Sequence, residues 1–212
     1  YVDLSSASRA IAEKRAESRG LKNITWVTDS LLNLNSKDIG FFDFINCSGV
    51  LHHLEEPLSG LAALERLLKP DGGMNIMLYA AYGRHAVYLI QDLLKSILPE
   101  SSSVEDKLRI CRSLLEDIPN EHPIRNFHRW EHFGNDLDEA LYDVFLHPQD
   151  KAYTVEELYE LADSVSLELV DFVGSEKRFY SPENVTQGDE LAAVLRGLNT
   201  RGRKAAGEKL HG

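Results

Sequence analysis

Short apolar runs alternate along this chain with longer segments in which apolar residues recur at helical spacing. This pattern predicts an α/β protein. The apolar run at 41–45 is too short for a helix and suits a buried parallel strand. Small polar residues follow at 46–49, and a leucine stripe at 57–68 predicts a helix. A Pro-Asp-Gly-Gly turn at 70–73 introduces a further strand at 74–80. We therefore expect a doubly wound, mostly parallel sheet with helices on both faces.

The same alternation continues towards both ends of the chain. Upstream, the pattern predicts a strand ending at residue 3, a helix at 7–19 and a β-rich run at 23–31. Downstream, it predicts helices at 83–98, 104–115, 138–145, 155–162 and 189–198, and strands at 167–173 and 178–180. Thr154 and Glu157 form a capping box at the start of the 155–162 helix. We expect the basic residues after 198 to form a frayed tail, namely Arg201, Arg203, Lys204 and Lys209.

Composition limits the classes of protein that this chain can belong to. Its 212 residues, 43% of them hydrophobic, predict one domain with an elaboration. The net charge of -11 argues against a nucleic-acid partner, because phosphate binding favours a basic surface. Two cysteines provide neither a disulfide framework nor a zinc motif, which favours a cytoplasmic location. No apolar run reaches the roughly 18–20 residues that span a bilayer, so we expect no membrane association.

Two segments carry a specific resemblance. FDFINCSGVLHHLEEP, followed by LKPDGGMNIMLYA, resembles the fourth- and fifth-strand segments of class I S-adenosylmethionine-dependent methyltransferases. The resemblance extends upstream to Tyr1 and, more weakly, downstream to about Val173. It implies a Rossmann-like fold, with a mostly parallel sheet and helices on both faces, and S-adenosylmethionine as the cofactor. It also implies methyl transfer to an N, O or C atom of an acceptor, which we expect to be a small molecule. Such transfer depends mainly on proximity and alignment, so it needs no dedicated base, and the catalytic residues stay unassigned.

The resemblance assigns an acidic residue to each of the first two strand ends. Asp3, with Leu4 beside it, would bind the ribose diol, because a carboxylate offers paired hydrogen-bond acceptors. Asp29 and the backbone of Ser30 would hold the adenine amino group. The alternative for both acidic residues is that they only cap the helices that follow them.

The methionine end of the cofactor would lie against the end of the 41–45 run. Cys47, Ser48 and Gly49 would face it through backbone and small side chains, and His53 would line the mouth of the site. Cys47 has no partner base in the sequence and is not expected to act as a nucleophile. His52 and His53 point about 100° apart on a helical turn, so they do not predict a shared metal ion.

Substrate contacts are expected after the 74–80 strand. Tyr79, Tyr82, Arg84 and Tyr88 lie just past its end, where Arg84 could pair with an anionic group; the alternative is that the tyrosines only pack a helical insertion. The stretch around His147 and Tyr153 has the form HPxDxxYT, which occurs in a bacterial subgroup of these methyltransferases. This resemblance implies that both residues line the substrate side; the alternative is that they belong to a packed loop. His128 and His132 have metal-ligand spacing without a third ligand, so we expect a solvated helix face and no metal.

These elements give the expected organisation of the chain. Residues 1–80 and 151–185 would form the methyltransferase core, 81–150 a helical insertion that covers the substrate or forms an oligomer interface, and 186–212 a C-terminal helix with a basic tail. The family's first strand and its Gly-rich loop would lie before Tyr1, so we interpret the chain as truncated at its N-terminus. Two alternatives are a non-catalytic methyltransferase-like binding module and a nicotinamide-dependent oxidoreductase, which would need a Gly-x-Gly-x-x-Gly loop.

Overall fold

The computed structural model describes residues 1–126 and 138–211. The chain divides into two compact units. Unit 1 comprises residues 1–78 and 160–169, and unit 2 comprises residues 79–159 and 170–212.

The described residues contain nine α-helices and six strands. The helices are α1 Ser6–Ser18, α2 Ser36–Ile39, α3 Pro57–Glu65, α4 His85–Ile97, α5 Val104–Asp117, α6 Asp138–Leu141, α7 Val155–Asp163, α8 Asp189–Gly197 and α9 Thr200–His211. The strands are β1 Val2–Asp3, β2 Val27–Thr28, β3 Phe42–Ser48, β4 Leu68–Met77, β5 Tyr79–Ala80 and β6 Ala152–Tyr153. They pair in parallel as β1 with β2, β3 with β4, and β5 with β6. The parallel pairing and the interleaved helices confirm the predicted α/β fold class.

Unit 1 begins with a strand–helix–strand segment whose boundaries follow from local chemistry. Ser5 is the N-cap of α1, where its hydroxyl accepts a hydrogen bond from the Ser8 amide at 3.2 Å. Gly20 follows the helix at φ +68°, a left-handed conformation that glycine adopts without strain. The chain then returns to pair Val27 with Val2. The predicted helix at 7–19 is confirmed, while the β-rich run at 23–31 forms a ladder only over Val27–Thr28.

The β3–β4 pair is the longest ladder in the described chain. Phe42 pairs with Leu68, but Phe44 pairs with Gly73. Four residues of β4 therefore bulge out of the ladder, at the position where the sequence predicted a separate turn. β3 also continues to Ser48, so residues 46–48 are strand and not the turn that their small side chains suggested. The end of the predicted 57–68 helix was likewise wrong, since α3 stops at Glu65.

Two separate apolar clusters form the cores of the units. In unit 1, buried Cys47, Leu51, Leu61 and Leu64 form the cluster. In unit 2, α4 and α5 bury one face each, and the cluster is completed by residues from both sides of the undescribed stretch. Its buried members are Val87, Ile90, Leu94, Cys111, Leu115, Ile118, Ile124, Leu141, Val144 and Phe145. The apolar stripes that predicted α4 and α5 are therefore the faces that build the core of unit 2.

The C-terminal part of the chain differs most from the prediction. Residues 167–173 form no strand, and 178–180 lie in the 3₁₀ helix Ser175–Tyr180. The expected frayed tail is also wrong, because residues 200–211 form α9 and its residues Lys204 and Ala205 are buried. The predicted helix at 138–145 is only partly right, since α6 ends at Leu141 and a π-helical turn follows at Tyr142–Leu146.

Polar contacts attach α9 to the start of α7 within unit 2. The Glu208 carboxylate accepts a hydrogen bond from the Val155 amide at 2.8 Å, and Lys209 pairs with Glu156 at 3.0 Å. Lys204 forms an ion pair with Asp171. The predicted capping box is confirmed, because the Thr154 amide donates to Glu157 Oε2 at 2.7 Å and the Glu157 amide donates to Thr154 Oγ1 at 3.2 Å.

Candidate functional site

Asp3 and Asp29 lie at the carboxyl ends of neighbouring parallel strands in unit 1. Asp3 ends β1, and the Asp29 amide donates a hydrogen bond to the Asp3 carbonyl at 3.2 Å, directly after β2. The structure therefore brings together the two acidic residues that the sequence singled out. The carboxyl ends of parallel strands are where open α/β sheets bind ligands.

Neither carboxylate caps the helix that follows it. Ser5 caps α1, and Ser30 caps the 3₁₀ turn Leu31–Asn33 by accepting from the Leu32 amide at 3.2 Å. Asp3 accepts from the Tyr1 hydroxyl and the Ser5 amide, both at 2.8 Å. The helix caps are thus supplied by the serines, which removes the capping explanation for Asp3 and Asp29.

Asp29 is held by its own neighbours and faces solvent. Its Oδ1 accepts from the Ser30 amide at 2.7 Å and from Asn33 Nδ2 at 2.8 Å. An ionised carboxylate has about four acceptor positions, so these two bonds leave room for a ligand donor. Leu4 is 72% exposed beside Asp3, which leaves an apolar side chain open to a ligand ring.

The end of β3 supplies the second group of predicted cofactor residues. Cys47 turns its side chain into the core, and burial raises the pKa of this thiol. Only the backbone of Cys47 is left to face a ligand. Ser48 is exposed, and Gly49 follows at φ +74°, a conformation that a side chain would strain. Glycine at this position therefore lets the chain turn directly after the strand.

His52 and His53 occupy the 3₁₀ turn Leu51–His53 after Gly49. Their rings meet edge to face, with centroids 4.2 Å apart. His52 is fully buried, whereas His53 is partly exposed. Of the two, His53 is the histidine that a ligand at this strand end could reach, so its predicted position at the site mouth stays a prediction with a compatible geometry.

The predicted substrate residues of unit 2 gather around Arg84, the N-cap residue of α4. The guanidinium carbon lies 3.5 Å from the centroid of the Tyr79 ring and 5.8 Å from that of Tyr88. Arg84 Nη2 pairs with Asp150 Oδ2 at 3.3 Å and donates to the Val144 carbonyl at 3.4 Å. Its positive charge is thus already neutralised by Asp150 within unit 2. The expected contact of Arg84 with an anionic substrate stays a prediction, and it would have to compete with this pair.

The two tyrosines beside Arg84 are poor acids. Burial, with Asp150 nearby, raises the pKa of Tyr88 to about 12. Burial also raises the pKa of Tyr79, and its neighbour Arg84 opposes that shift. The Tyr79 hydroxyl donates to Asp143 Oδ2 at 3.4 Å. Both phenols therefore stay protonated at neutral pH and can act as hydrogen-bond donors.

The other three predicted substrate residues are more scattered. Tyr82 is exposed. His147 Nδ1 accepts from the Gln149 amide at 3.2 Å, and Tyr153 is buried in β6 with Lys151 Nζ 5.0 Å from its ring. The packed-loop alternative thus has contacts for His147 and Tyr153, while their substrate role stays a prediction.

The described residues contain neither a cluster of metal ligands nor a helix that could cross a membrane. Over residues 1–126 and 138–211, no group of three or more His, Cys, Asp or Glu side chains is placed to hold a metal ion. In the same residues no helix has the length and apolarity needed to cross a membrane. His128 and His132 lie outside the described residues.

Comparisons with known proteins find one family model that matches part of this chain and solved structures with a similar fold. The family model described as a methyltransferase domain matches residues 1–74, which include Asp3, Asp29 and all of β3. The structure of PKMT2 from Rickettsia typhi matches with a TM-score of 0.70 and 17% identity, over 99% of this chain and 40% of that chain. Residues 1–74 of this chain are similar to a methyltransferase domain. The predicted resemblance to the class I methyltransferases is confirmed.

The other similar proteins are also longer than this chain. PKMT2 in complex with AdoHcy matches with a TM-score of 0.69 and 18% identity, over 99% of this chain and 41% of that chain. An uncharacterized protein of Synechococcus is 30% identical over 187 residues, which are 87% of this chain and 44% of the relative. A ubiquinone biosynthesis O-methyltransferase of Actinobacillus pleuropneumoniae is 34% identical over 74 residues, 34% of this chain and 32% of that enzyme. The chain spans less than half the length of each.

Sequence reasoning missed three polar residues of this chain. Asp150 pairs with Arg84, and Gln91 Nε2 donates to the same Asp150 Oδ2 at 3.1 Å and to the Val144 carbonyl at 2.9 Å. Asp143 accepts from Tyr79. One signal could have found Gln91, since it is a polar residue within the buried apolar face of α4. Asp150 was visible as the acid of the HPxDxxYT motif.

Proposed function

We propose that this chain binds S-adenosylmethionine through residues of unit 1 and transfers its methyl group to an acceptor. The observation that carries the proposal is the placement of Asp3 and Asp29 at adjacent parallel strand ends. The matched methyltransferase domain covers both residues, and a related fold is found with AdoHcy bound. The resemblance gives Asp3 the ribose and Asp29 the adenine amino group.

The residues of unit 1 fit the chemistry of this cofactor. Ribose hydroxyls and the adenine amine are hydrogen-bond donors, and the two carboxylates are acceptors that no helix cap requires. The exposed Leu4 offers apolar contact, and Ser30 offers its backbone. Ser48, Gly49 and His53 would contact the methionine end together with the backbone of Cys47. When bound, S-adenosylmethionine supplies an electrophilic methyl group on a sulfonium.

The protein's own contribution to this reaction would be orientation and not proton transfer. Alignment of acceptor and methyl group accounts for most of the acceleration in such a displacement. Tyr79 and Tyr88 stay protonated because their pKa values are raised, so neither suits proton removal from the acceptor. Tyr79 donates its hydrogen bond to Asp143, and its oxygen can still accept a hydrogen bond from the acceptor. Arg84, Tyr82, His147 and Tyr153 complete the proposed acceptor side.

We propose a small-molecule acceptor and no nucleic-acid partner, in line with the net charge of -11. A cytoplasmic location is part of the same proposal. It is supported by Cys47 and Cys111, which are both free and buried. Free buried thiols persist where the surroundings are reducing.

Calorimetric titration with S-adenosylhomocysteine tests the cofactor proposal on the chain as it stands. We expect binding, and we expect Asp3→Ala and Asp29→Ala each to weaken it by about 1–3 kcal/mol, or roughly five- to 150-fold, because each removes the partner of a ligand donor. Asp71→Ala is the matched control, since Asp71 is an exposed carboxylate of the same unit outside the site. It should leave the affinity unchanged.

Two results would overturn the proposal. If the unmodified chain binds no S-adenosylhomocysteine, the enzyme function is wrong for this chain and the non-catalytic binding module becomes the better explanation. If it binds but both aspartate variants bind equally well, the cofactor lies elsewhere. Circular dichroism of each variant would show whether the chain keeps its helix content, which separates a loss of affinity from a loss of folding.

A further inference from the structure

A buried polar network joins α4 to the segment that precedes β6. Asp150 Oδ2 and the Val144 carbonyl each accept two hydrogen bonds, one from Arg84 Nη2 at 3.3 and 3.4 Å and one from Gln91 Nε2 at 3.1 and 2.9 Å. The side chains of Arg84 and Asp150 are 9% and 3% exposed. Two donors separated by two helical turns thus hold the same two acceptors, which fixes the position of this segment along α4.

Tyr79 is the partly exposed residue that this network holds in place. One face of its ring lies on the Arg84 guanidinium, 3.5 Å from centroid to carbon, and its hydroxyl donates to exposed Asp143 at 3.4 Å. Its backbone pairs with Ala152 in the β5–β6 ladder. The ring is therefore held at its face, its hydroxyl and its backbone, and all three contacts depend on where Arg84 and the 143–152 segment lie.

Asp150 and Gln91 are too buried to contact a substrate themselves. Gln91 is 2% exposed, and the Asp150 side chain 3%. A buried ion pair is seldom more stabilising than an apolar replacement, and its best-attested use is to fix one geometry among several. In unit 2 the geometry so fixed is that of Arg84 and the Tyr79 ring.

We propose that Asp150 and Gln91 are positioning residues of the methyl-transfer reaction, which hold Arg84 against Tyr79 and thereby set the orientation of the Tyr79 hydroxyl towards the acceptor. The inference rests on the proposed function for the identity of the reaction. The Tyr79 hydroxyl, with Asp143 behind it, is the group that touches the acceptor. Asp150 and Gln91 act through Arg84.

The first test is the ring signal of Tyr79 in the full chain. Tyrosine is labelled with ¹³C in the ring, and the Tyr79 and Tyr88 resonances are assigned by Tyr79→Phe and Tyr88→Phe. Asp150→Asn keeps the size and one acceptor oxygen but removes the charge, and Gln91→Leu removes both donated bonds. We expect either change to shift the Tyr79 resonance, and Asp150→Asn to bring the pKa of Tyr88 below about 12, because Asp150 contributes to its elevation.

Matched controls separate positioning from general damage. Asp92→Asn changes an exposed carboxylate on the same helix and should leave the Tyr79 signal unmoved. The Tyr159 ring, 4.9 Å from the Arg201 guanidinium carbon in unit 2, should keep its resonance in all variants. An unchanged Tyr79 resonance in both Asp150→Asn and Gln91→Leu would overturn the proposal.

The second test separates this inference from the proposed function. S-adenosylhomocysteine affinity should stay within twofold of the unmodified chain in Asp150→Asn and Gln91→Leu, while methyl release from S-adenosylmethionine in a bacterial small-molecule extract should fall at least tenfold. A tenfold loss of S-adenosylhomocysteine affinity in both variants would overturn the acceptor-side role. If the unmodified chain itself binds no S-adenosylhomocysteine, the proposed function fails, whereas the tyrosine signals still report whether the network holds Tyr79.

Discussion

Arg84 carries a full positive charge on a side chain that is 9% exposed, and Asp150 carries the matching negative charge at 3% exposure. Removing one partner of such a pair leaves the other charge buried without compensation, which costs far more than the pair contributes as a whole. The residue that the sequence suggested for substrate binding is therefore also a structural residue of unit 2. Its two roles can be separated by measuring stability and affinity in the same variants.

Arg84→Ala should lower the free energy of unfolding by about 3–5 kcal/mol, because the Asp150 carboxylate is left buried without its cationic partner. Asp150→Ala should have a similar cost, and the double variant should cost less than the sum of the two single variants. Urea denaturation measures all three. Arg109→Ala is the control, since its pair with Asp106 is exposed and should contribute no more than about 1 kcal/mol. Equal losses for Arg84→Ala and Arg109→Ala would contradict the buried-pair interpretation.

Glu208 gives unit 2 a pH dependence of known sign. Burial raises the pKa of this carboxyl above its ordinary value, while the hydrogen bond from the Val155 amide opposes the shift. The charged groups facing it are Glu156 and Glu157, which raise its pKa, and Lys209, which lowers it. A carboxyl with a raised folded-state pKa destabilises the fold when ionised, so its effect grows as pH rises from about 4.5 through the folded-state value.

Glu208→Gln, which resembles the protonated acid, should therefore melt at a higher temperature than the unmodified chain at pH 7. The difference should shrink as the pH falls below the ordinary glutamate pKa, where both side chains are neutral. Melting temperatures between pH 4 and 8 measure it. The control is Glu190→Gln, which changes an exposed carboxylate on α8. Glu157→Gln is less suitable because Glu157 belongs to the capping box. A stabilisation that is constant with pH would contradict this account.

At the scale of secondary-structure elements, the packing of α9 depends on one close contact between the backbones of Gly207 and Phe179. A Cβ on Gly207 would lie 2.0 Å from the Phe179 carbonyl oxygen, so any side chain there forces the helix away from the 3₁₀ segment beneath it. By contrast, a Cβ on Gly197 in α8 would meet nothing within 4 Å. The two helices thus offer a matched pair of glycines, one in a tight contact and one in open space.

Gly207→Ala should destabilise the chain by about 1–3 kcal/mol, the usual cost of forcing an extra carbon into a packed contact. Gly197→Ala should change the stability by no more than about 0.5 kcal/mol, as exposed substitutions do. Thermal unfolding followed by circular dichroism measures both. Comparable melting temperatures for the two variants would show that α9 does not pack closely on Phe179.

At the scale of the whole molecule, the net charge of -11 dominates the behaviour expected towards polyanions. The basic residues near the C-terminus do not form a free basic patch, because Lys204 pairs with Asp171, Lys209 with Glu156, and Arg203 lies 3.6 Å from Glu183. The negative net charge and the local ion pairs therefore both predict weak binding to polyanions.

The chain should pass through a heparin column at pH 7 and low salt without retention, and it should bind an anion exchanger. Repulsion between like charges gives this result, and it weakens with salt. The charge-reversal pair Asp171→Lys and Glu156→Lys, which releases two cations and adds two more, serves as a positive control and should increase heparin retention. Retention of the unmodified chain would reveal a basic patch and would contradict the proposal that the chain has no nucleic-acid partner.

The helices were the most predictable part of this fold. Periodicity located α4, α5 and α8. The serine-rich cap and Gly20 located α1, and the cap of α7 was visible as two residues three positions apart. These signals are local, because a helix satisfies its hydrogen bonds within itself. The acidic residues at the strand ends and the methyltransferase resemblance were likewise carried by short segments.

The strands at 167–173 and 178–180 were predicted wrongly because a strand exists only where another strand accepts its hydrogen bonds. β-rich composition cannot supply that partner. For the same reason the bulge in β4 was not foreseen, since it is defined by its register against Phe42 and Phe44.

The sequence by itself determined the family resemblance, the α/β class and the acidic residues expected to bind the cofactor. Only the tertiary structure decided that Asp150 neutralises Arg84 across 66 positions, that Gln91 shares its acceptors, and that α9 docks on the start of α7. The physical reason is the range of the interactions. Caps, periodicity and motifs act within a few residues, whereas burial and charge pairing depend on which distant residues the folded chain brings into contact.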